Sequence, residues 1–177
     1  DIERYHRSFP LRRGMPREEL KSRLKLSARL SNALLRSLRS SEQITEAGPL
    51  VLRAGHDIRF NPQQQALVDR LLAQFKAQPY SPPSVKDSQA LVGDEVYAAL
   101  LDLGRLVQVA PEVVFSQQAY QEMTGQVRLL LQQQGTLTAA QVRDHFNTSR
   151  KYVLALLEHL DAQGVTVRDG DLRRLKS

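Results

Sequence analysis

One arrangement, an amphipathic helix that runs almost directly into a β-hairpin, occurs three times in this chain and limits what it can fold into. Leu34-Leu35 and Leu38 lead to Ile44 and a hairpin closing on Leu50-Val51-Leu52. Leu100-Leu101 and Leu103 lead to Leu106-Val107-Gln108-Val109, a turn at Ala110-Pro111-Glu112, and Val113-Val114-Phe115. Leu156-Leu157 and Leu160 lead to Val165-Thr166-Val167 and a hairpin at Asp169-Gly170. Aligning Leu38, Leu101 and Leu160 spaces the units roughly 60 residues apart, which is the size of a small domain and well above the period of a solenoid.

The last unit is the most complete. Gln118 to Gln134 reads as a first helix with Val127, Leu130 and Leu131 inward, ended by Gly135. Thr136-Leu137 is a short strand. Thr138, with Gln141 three residues on, forms a capping box that opens a second helix through Val142 and Phe146. Asn147-Thr148-Ser149 caps a third helix, on which Tyr152, Val153, Leu156, Leu157 and Leu160 make one apolar stripe. Gly164 stops it, and from Val165 the period changes from helical to two. Three helices, a short strand and a hairpin wing describe a winged helix-turn-helix. The middle unit repeats this with a first helix from Pro62 to Gln78, a Pro79-Tyr80-Ser81-Pro82-Pro83 break and a third helix starting near Gly93-Asp94-Glu95. The first unit keeps only a helical stub from Ile2 to His6, then helices over Pro16 to Leu24 and Ser27 to Arg39. The predicted fold is therefore mainly α with small β-hairpins: tandem winged-helix domains over 1–60, 61–118 and 119–177, the last of them complete enough to fold alone.

Charge separates the units. Of 25 basic and 19 acidic residues, residues 1–60 hold 13 and 7, residues 61–118 hold 4 and 6, and residues 119–177 hold 8 and 6. The net charge of +6 favours an acidic partner such as nucleic acid. The middle unit is acidic and its third helix opens on Asp94-Glu95, which repels phosphate, so it is expected to be a spacer or a protein-contact module. With no cysteine, disulfides and thiolate metal sites are excluded and the cytoplasm is the expected compartment. No apolar run approaches about 18 residues, so no membrane partner is expected. The start at Asp1 followed by a helical stub reads as a piece of a longer protein.

Six of the eight basic residues of the last unit, Arg150, Lys151, Arg168, Arg173, Arg174 and Lys176, fall on the first turn of the third helix or on and just after the wing. A winged helix presents that face to nucleic acid, and an arginine fork there clamps a phosphate or pairs with a base edge. Asn147 and Ser149 are first of all cap residues, with a nucleotide contact as an additional role. Tyr152 lies on the buried stripe. With Asp169-Gly170 as the turn, Thr166, Arg168, Asp171 and Arg173 share one face, expected outward, and Val165, Val167, Leu172 and Arg174 the other, expected inward. Arg174 joins the RNA-facing set only if the strand ends early or a bulge shifts its register. No catalytic or phosphate-loop motif is present, and His6, His56, His145 and His159 lack metal-ligand spacing, so neither catalysis nor a cofactor is expected of this chain.

The runs Tyr5-His6-Arg7-Ser8-Phe9-Pro10-Leu11-Arg12-Arg13-Gly14-Met15-Pro16-Arg17-Glu18-Glu19-Leu20 and Phe146-Asn147-Thr148-Ser149-Arg150-Lys151-Tyr152, with the wing after Gly164, resemble the C-terminal extension of the bacterial selenocysteine-specific elongation factor, SelB. The resemblance covers nearly the whole chain and aligns its three units with the second, third and fourth winged helices of that extension. It implies that an upstream GTPase half binds GTP and carries selenocysteinyl-tRNA to the ribosome. It also implies that the extension, as a monomer, captures an mRNA hairpin, the selenocysteine insertion element. By position this brings Arg150, Lys151, Arg168 and Arg173 to RNA, and Asn147, Ser149 and Arg174 complete the expected RNA-binding set. Two other functions use the same fold. A DNA-binding regulator is commonly a dimer on a palindrome, and no separate dimerisation segment is visible here. A protein-interaction scaffold has no use for cations concentrated at the last wing.

Overall fold

The computed structural model describes residues 1–176, which fall into two compact units, one from Asp1 to Gln63 and one from Gln64 onward. The first unit runs α1 (Ile2–Ser8), β1 (Met15–Pro16), α2 (Arg17–Leu24), α3 (Ala28–Ser40), β2 (Ile44–Ala47) and β3 (Leu50–Arg53), with its strands in the order β1-β3-β2. Ser27 caps α3 by accepting the Leu30 amide. Tyr5, Met15, Leu20, Leu35, Ile44 and Val51 form the core, one contribution from each element. Gly14 lets the chain enter β1 against β3, since a Cβ there would meet the Leu52 side chain at 2.9 Å and the Val51 carbonyl at 3.0 Å.

The second unit holds the other two winged helices. Its first part is α4 (Pro62–Ala77), α5 (Val85–Val92), α6 (Asp94–Asp102), β4 (Leu106–Ala110) and β5 (Val113–Ser116). This hairpin is two-stranded, and its register shifts between Gln108 and Ala110. The second part is α7 (Gln117–Gln134), β6 (Leu137–Thr138), α8 (Ala139–Phe146), α9 (Arg150–Ala162), β7 (Thr166–Asp169) and β8 (Leu172–Leu175), with strand order β6-β8-β7. The Thr138/Gln141 capping box at α8 forms as predicted. β5 runs into α7 without a loop, Ser116 serving as the cap of that helix.

This continuity has an energetic consequence that the sequence pattern hides. One cluster of buried side chains joins Val113 and Phe115 of β5 to Met123, Val127, Leu131, Leu137, Val142, Phe146, Val153, Leu156, Leu157 and Leu160. Residues 119–177 were expected to close a core by themselves. They share it instead with the hairpin of the middle winged helix, whose Phe115 is fully buried.

The first and last winged helices repeat more closely than the leucine spacing indicated. β1, α2, α3, β2 and β3 each recur as β6, α8, α9, β7 and β8, displaced by 122 residues with no insertion or deletion. Positive φ angles recur with them: Lys25 (51°) and Asn147 (47°), Glu42 (55°) and Gly164 (70°), Gly48 (59°) and Gly170 (60°).

The last wing departs from its predicted geometry in two ways. Asp169 pairs with Leu172, so the two turn residues are Gly170 and Asp171, and only Gly170 has positive φ. The predicted faces are also reversed at four positions, whereas Arg168 and Asp171 are exposed and Val165 packs on the core as expected. Thr166 and Arg173 are buried, with 1% and 2% exposure, while Leu172 and Arg174 face solvent. The cause is Asp161, in the last turn of α9. It accepts from Thr166 Oγ1 at 2.5 Å and from Arg173 Nε at 3.2 Å, so a polar pair replaces the apolar one expected beneath the ribbon.

Candidate nucleic-acid interface

The helix-turn-helix of the last unit is held by the six residues Asn147 to Tyr152, each with a separate task. Asn147 takes the left-handed conformation that ends α8, which asparagine tolerates better than most residues. Thr148 donates from its hydroxyl to the Tyr80 carbonyl and shares a 2.9 Å bond with the Ser81 hydroxyl. Ser149 stands at the cap position of α9, exposed, with no side-chain cap bond. Tyr152 donates to the Pro82 carbonyl at 2.8 Å, and its ring tilts against Phe115 at 6.1 Å. The break after α4 thus receives the turn between α8 and α9. Tyr80 itself donates to Glu122 at 2.5 Å, and that bond, followed by burial, raises its pKa above the ordinary tyrosine value.

Arg150 and Lys151 follow on the first turn of α9, both exposed, and they diverge. Lys151 pairs with Glu112 of the middle hairpin at 3.1 Å. Arg150 turns to a groove bounded by the N-terminal turns of α8 and α9 and by the wing, lined by Thr138, Ala139, Ala140, Arg143, Arg150, Leu154, Arg168, Asp171 and Arg173. Arg168 stands at the mouth, its Nε donating to the Gly170 carbonyl at 2.9 Å. Arg143 is exposed and forks onto Asp144, at 2.6 Å from Nη2. Arg173 forms part of the floor. Its Nη2 is buried and has no hydrogen-bond partner.

Of the seven residues predicted to meet RNA, the structure gathers Arg150, Arg168 and Arg173 in this groove. Arg173 reaches it from below, as a buried ion pair with Asp161 and not as the exposed wing residue expected. Lys151 and Arg174 lie on other faces, Lys151 with Glu112 and Arg174 on the solvent side of the ribbon. Asn147 and Ser149 are exposed at the turn without lining the groove. Arg143 was not singled out from the sequence, although its place on α8, flanking the buried stripe of Val142 and Phe146, is legible in the helical period. The roles of Thr148 and Tyr152 toward the preceding unit were also missed, because their acceptors are backbone carbonyls about 70 residues upstream. Glu112 shows that the middle unit does more than separate its neighbours.

The corresponding place in the first unit carries a different set of charges, paired within the unit. At the positions of Arg150, Arg168 and Arg173 stand Ala28, Glu46 and Val51. Glu46 pairs with Arg17 at 3.3 Å and with Arg39 at 3.7 Å, and Lys21, where the last unit has Arg143, is bonded to Glu18 at 2.8 Å. The cationic groove is therefore a property of the last unit and not of the fold.

Helix-turn-helix units with a cationic groove between helix and wing define a winged-helix protein of the nucleic-acid-binding class. Models described as winged helices of elongation factor SelB match residues 1–52, as the second such domain, and residues 129–175, as the third. The matched residues make up more than half of the chain, and the chain belongs to the SelB winged-helix family. The model for the third domain falls on the last unit, where the resemblance alone had counted a fourth. A selenocysteine-specific elongation factor from Desulfomicrobium baculatum is 26% identical over 97% of the chain, which spans 28% of that relative's length. A solved structure described as the mRNA-binding domain of elongation factor SelB from E. coli in complex with SECIS RNA is similar with a TM-score of 0.54. It is 25% identical and covers 67% of this chain and all of its own. A bacterial selenocysteine-specific elongation factor is similar in fold over 99% of the chain and 28% of its own length, with a TM-score of 0.56 at 20% identity. Among the described residues no helix is long and apolar enough to cross a membrane.

Proposed function

We propose that this chain captures an mRNA hairpin of the selenocysteine insertion type and so tethers a selenocysteine-specific elongation factor to its message. The observation that carries this is the convergence of Arg150 from α9 and Arg168 and Arg173 from the wing on one open groove, in a chain similar along two thirds of its length to an mRNA-binding domain solved with such an RNA. Arginine suits this work because its planar fork meets phosphate oxygens two at a time. The loop of the hairpin is the natural target, since an A-form stem hides its base edges in a deep groove whereas splayed loop bases expose theirs. GTP binding, selenocysteinyl-tRNA carriage and ribosome contact fall to other parts of the longer factor, which works in the cytoplasm. The chain described here acts as a monomeric binding module without a cofactor or catalytic step.

Titration of the chain against a hairpin with its native loop, and against the same stem closed by an unrelated loop, tests this function. Tight binding of the first and much weaker binding of the second is expected, with affinity falling as salt rises. Equal affinity for both, or preference for duplex DNA, would refute it.

A further inference from the structure

We propose that the groove of the last unit holds a single backbone phosphate of the bound RNA, met by Arg150 and Arg168 from its walls, with the buried guanidinium of Arg173 beneath it. This rests on the RNA-binding function proposed above and goes beyond it by assigning the site one phosphodiester group. Two observations carry it. First, Arg173 is almost wholly buried and spends only Nε on Asp161, leaving Nη2 as a buried donor without a partner in a groove that opens to solvent. Buried donors are rarely left unpaired, and a donor from a charged group is costly to leave so. An anion seated above Arg173 would offset that cost through its charge, without touching Nη2.

Second, the chain contains the comparison that isolates the effect. The first unit has the same elements at the same spacing, and there the wing position equivalent to Arg168 is Glu46, a carboxylate held by Arg17 and Arg39. That unit therefore supplies its arginines with a carboxylate of its own. In the last unit the wing position is a cation, Arg150 has no ion pair or hydrogen bond among the described residues, and Arg168 uses only its Nε locally. The carboxylates nearby do not complete the set: Asp161 is spent on Thr166 and Arg173, Asp144 on Arg143, and Asp171 lines the rim as a single exposed negative charge. At the α8 terminus the Thr138 and Gln141 amides are taken by the Thr138/Gln141 capping box. A phosphate ester carries the required negative charge and offers oxygens to several donors at once. A base edge would satisfy at most one fork.

The test uses the whole chain and a series of synthetic hairpins, each with one phosphodiester replaced by a neutral methylphosphonate. One linkage is expected to stand out, its neutralisation weakening binding by about tenfold or more, the loss of a charge-assisted contact. In the Arg150→Ala and Arg168→Ala chains the same replacement should cost clearly less than in the parent, and in the double variant no more than about twofold, because both wall partners are then gone. Arg174→Ala, on the other face of the ribbon, should leave the tenfold effect intact. Small losses spread evenly over many linkages would overturn the single-phosphate site. So would a sensitive linkage that responds equally in the parent and in both groove variants. A hairpin that the parent chain does not bind at all would overturn the RNA-binding function, and this site with it.

Discussion

Removing the carboxylate of Asp161 is the most informative perturbation of the last winged helix. Asp161→Ala leaves the Arg173 guanidinium, 3% exposed as a side chain, without its counter-ion, and the Thr166 hydroxyl without its acceptor. Breaking a buried ion pair from one side costs about 3–5 kcal/mol, because the surviving charge keeps its desolvation penalty. A stranded hydroxyl adds about 1 kcal/mol, less any rearrangement toward water. A loss of about 4 kcal/mol is a large fraction of the roughly 5–15 kcal/mol that stabilises a domain. At a urea slope of about 2 kcal/mol/M it lowers the unfolding midpoint by about 2 M. The triple change Asp161→Leu, Thr166→Val, Arg173→Met removes charge and hydroxyl together and should recover most of that loss, since apolar replacements of similar volume do as well as a buried pair. Urea unfolding followed by circular dichroism on the parent, Asp161→Ala, the triple variant and its three single changes measures both effects. If the triple variant is as unstable as the sum of its three single changes, the cluster is not a coupled polar unit and the reversal of the wing faces at those positions lacks the cause assigned to it.

Arg150→Ala and Arg168→Ala should each weaken hairpin binding by about 1–3 kcal/mol in a filter or fluorescence titration while leaving the melting temperature unchanged, since both side chains are exposed. A chain of residues 64–177 should melt cooperatively, whereas residues 119–177 alone should not. The shorter piece lacks Val113 and Phe115, and losing a buried phenylalanine alone costs about 3–5 kcal/mol. In the first unit, His6 accepts the Arg53 amide and stacks on His56 with ring centroids 3.5 Å apart. Burial, then His56 and Arg53, hold its pKa down to about 4 from an ordinary 6.5. The unfolded chain therefore takes up this proton first, so the stability His6 contributes is full above about pH 6.5 and is lost as pH falls toward 4. The melting temperature of the first unit should drop over that window, and His6→Gln should flatten the dependence. Gly170→Ala should cost about 1 kcal/mol through its left-handed φ alone, there being nothing within 4 Å of the added methyl.

The fold was legible because each unit changes hydrophobic period where its helix ends, and because Thr138/Gln141 and the wing glycine mark element ends by local chemistry. The faces of the last ribbon were not. Alternation says which residues share a face, but it does not say which face is buried. Val165, Val167 and Leu172 outweigh Thr166 and Arg173 on any hydrophobicity scale, until Asp161 arrives from another element to satisfy the polar pair. The missing signal lay in the repeat. Set against the first unit residue for residue, Thr166 falls on Ile44 and Arg173 on Val51, both buried. The groove was half legible: Arg150 and Arg168 stood out by charge and place, whereas Lys151 was expected to face RNA and is directed to Glu112 by a tertiary contact with no local mark.

The anchoring of the α8–α9 turn is asymmetric in what it requires of the chain. Thr148 and Tyr152 supply hydroxyls, and apart from the Ser81 hydroxyl that meets Thr148 they bond main-chain carbonyls of Tyr80 and Pro82, which every amino acid possesses. Half of this interface is therefore written in backbone shape and not in residue identity. Among related sequences, positions 148 and 152 should vary independently of the side chain at 82, and correlated change should appear instead wherever the prolines that fix the path of that segment are gained or lost. Methods that infer proximity from paired substitutions would see only the Ser81–Thr148 pair of this contact, although the whole of it sets where the first turn of α9 lies.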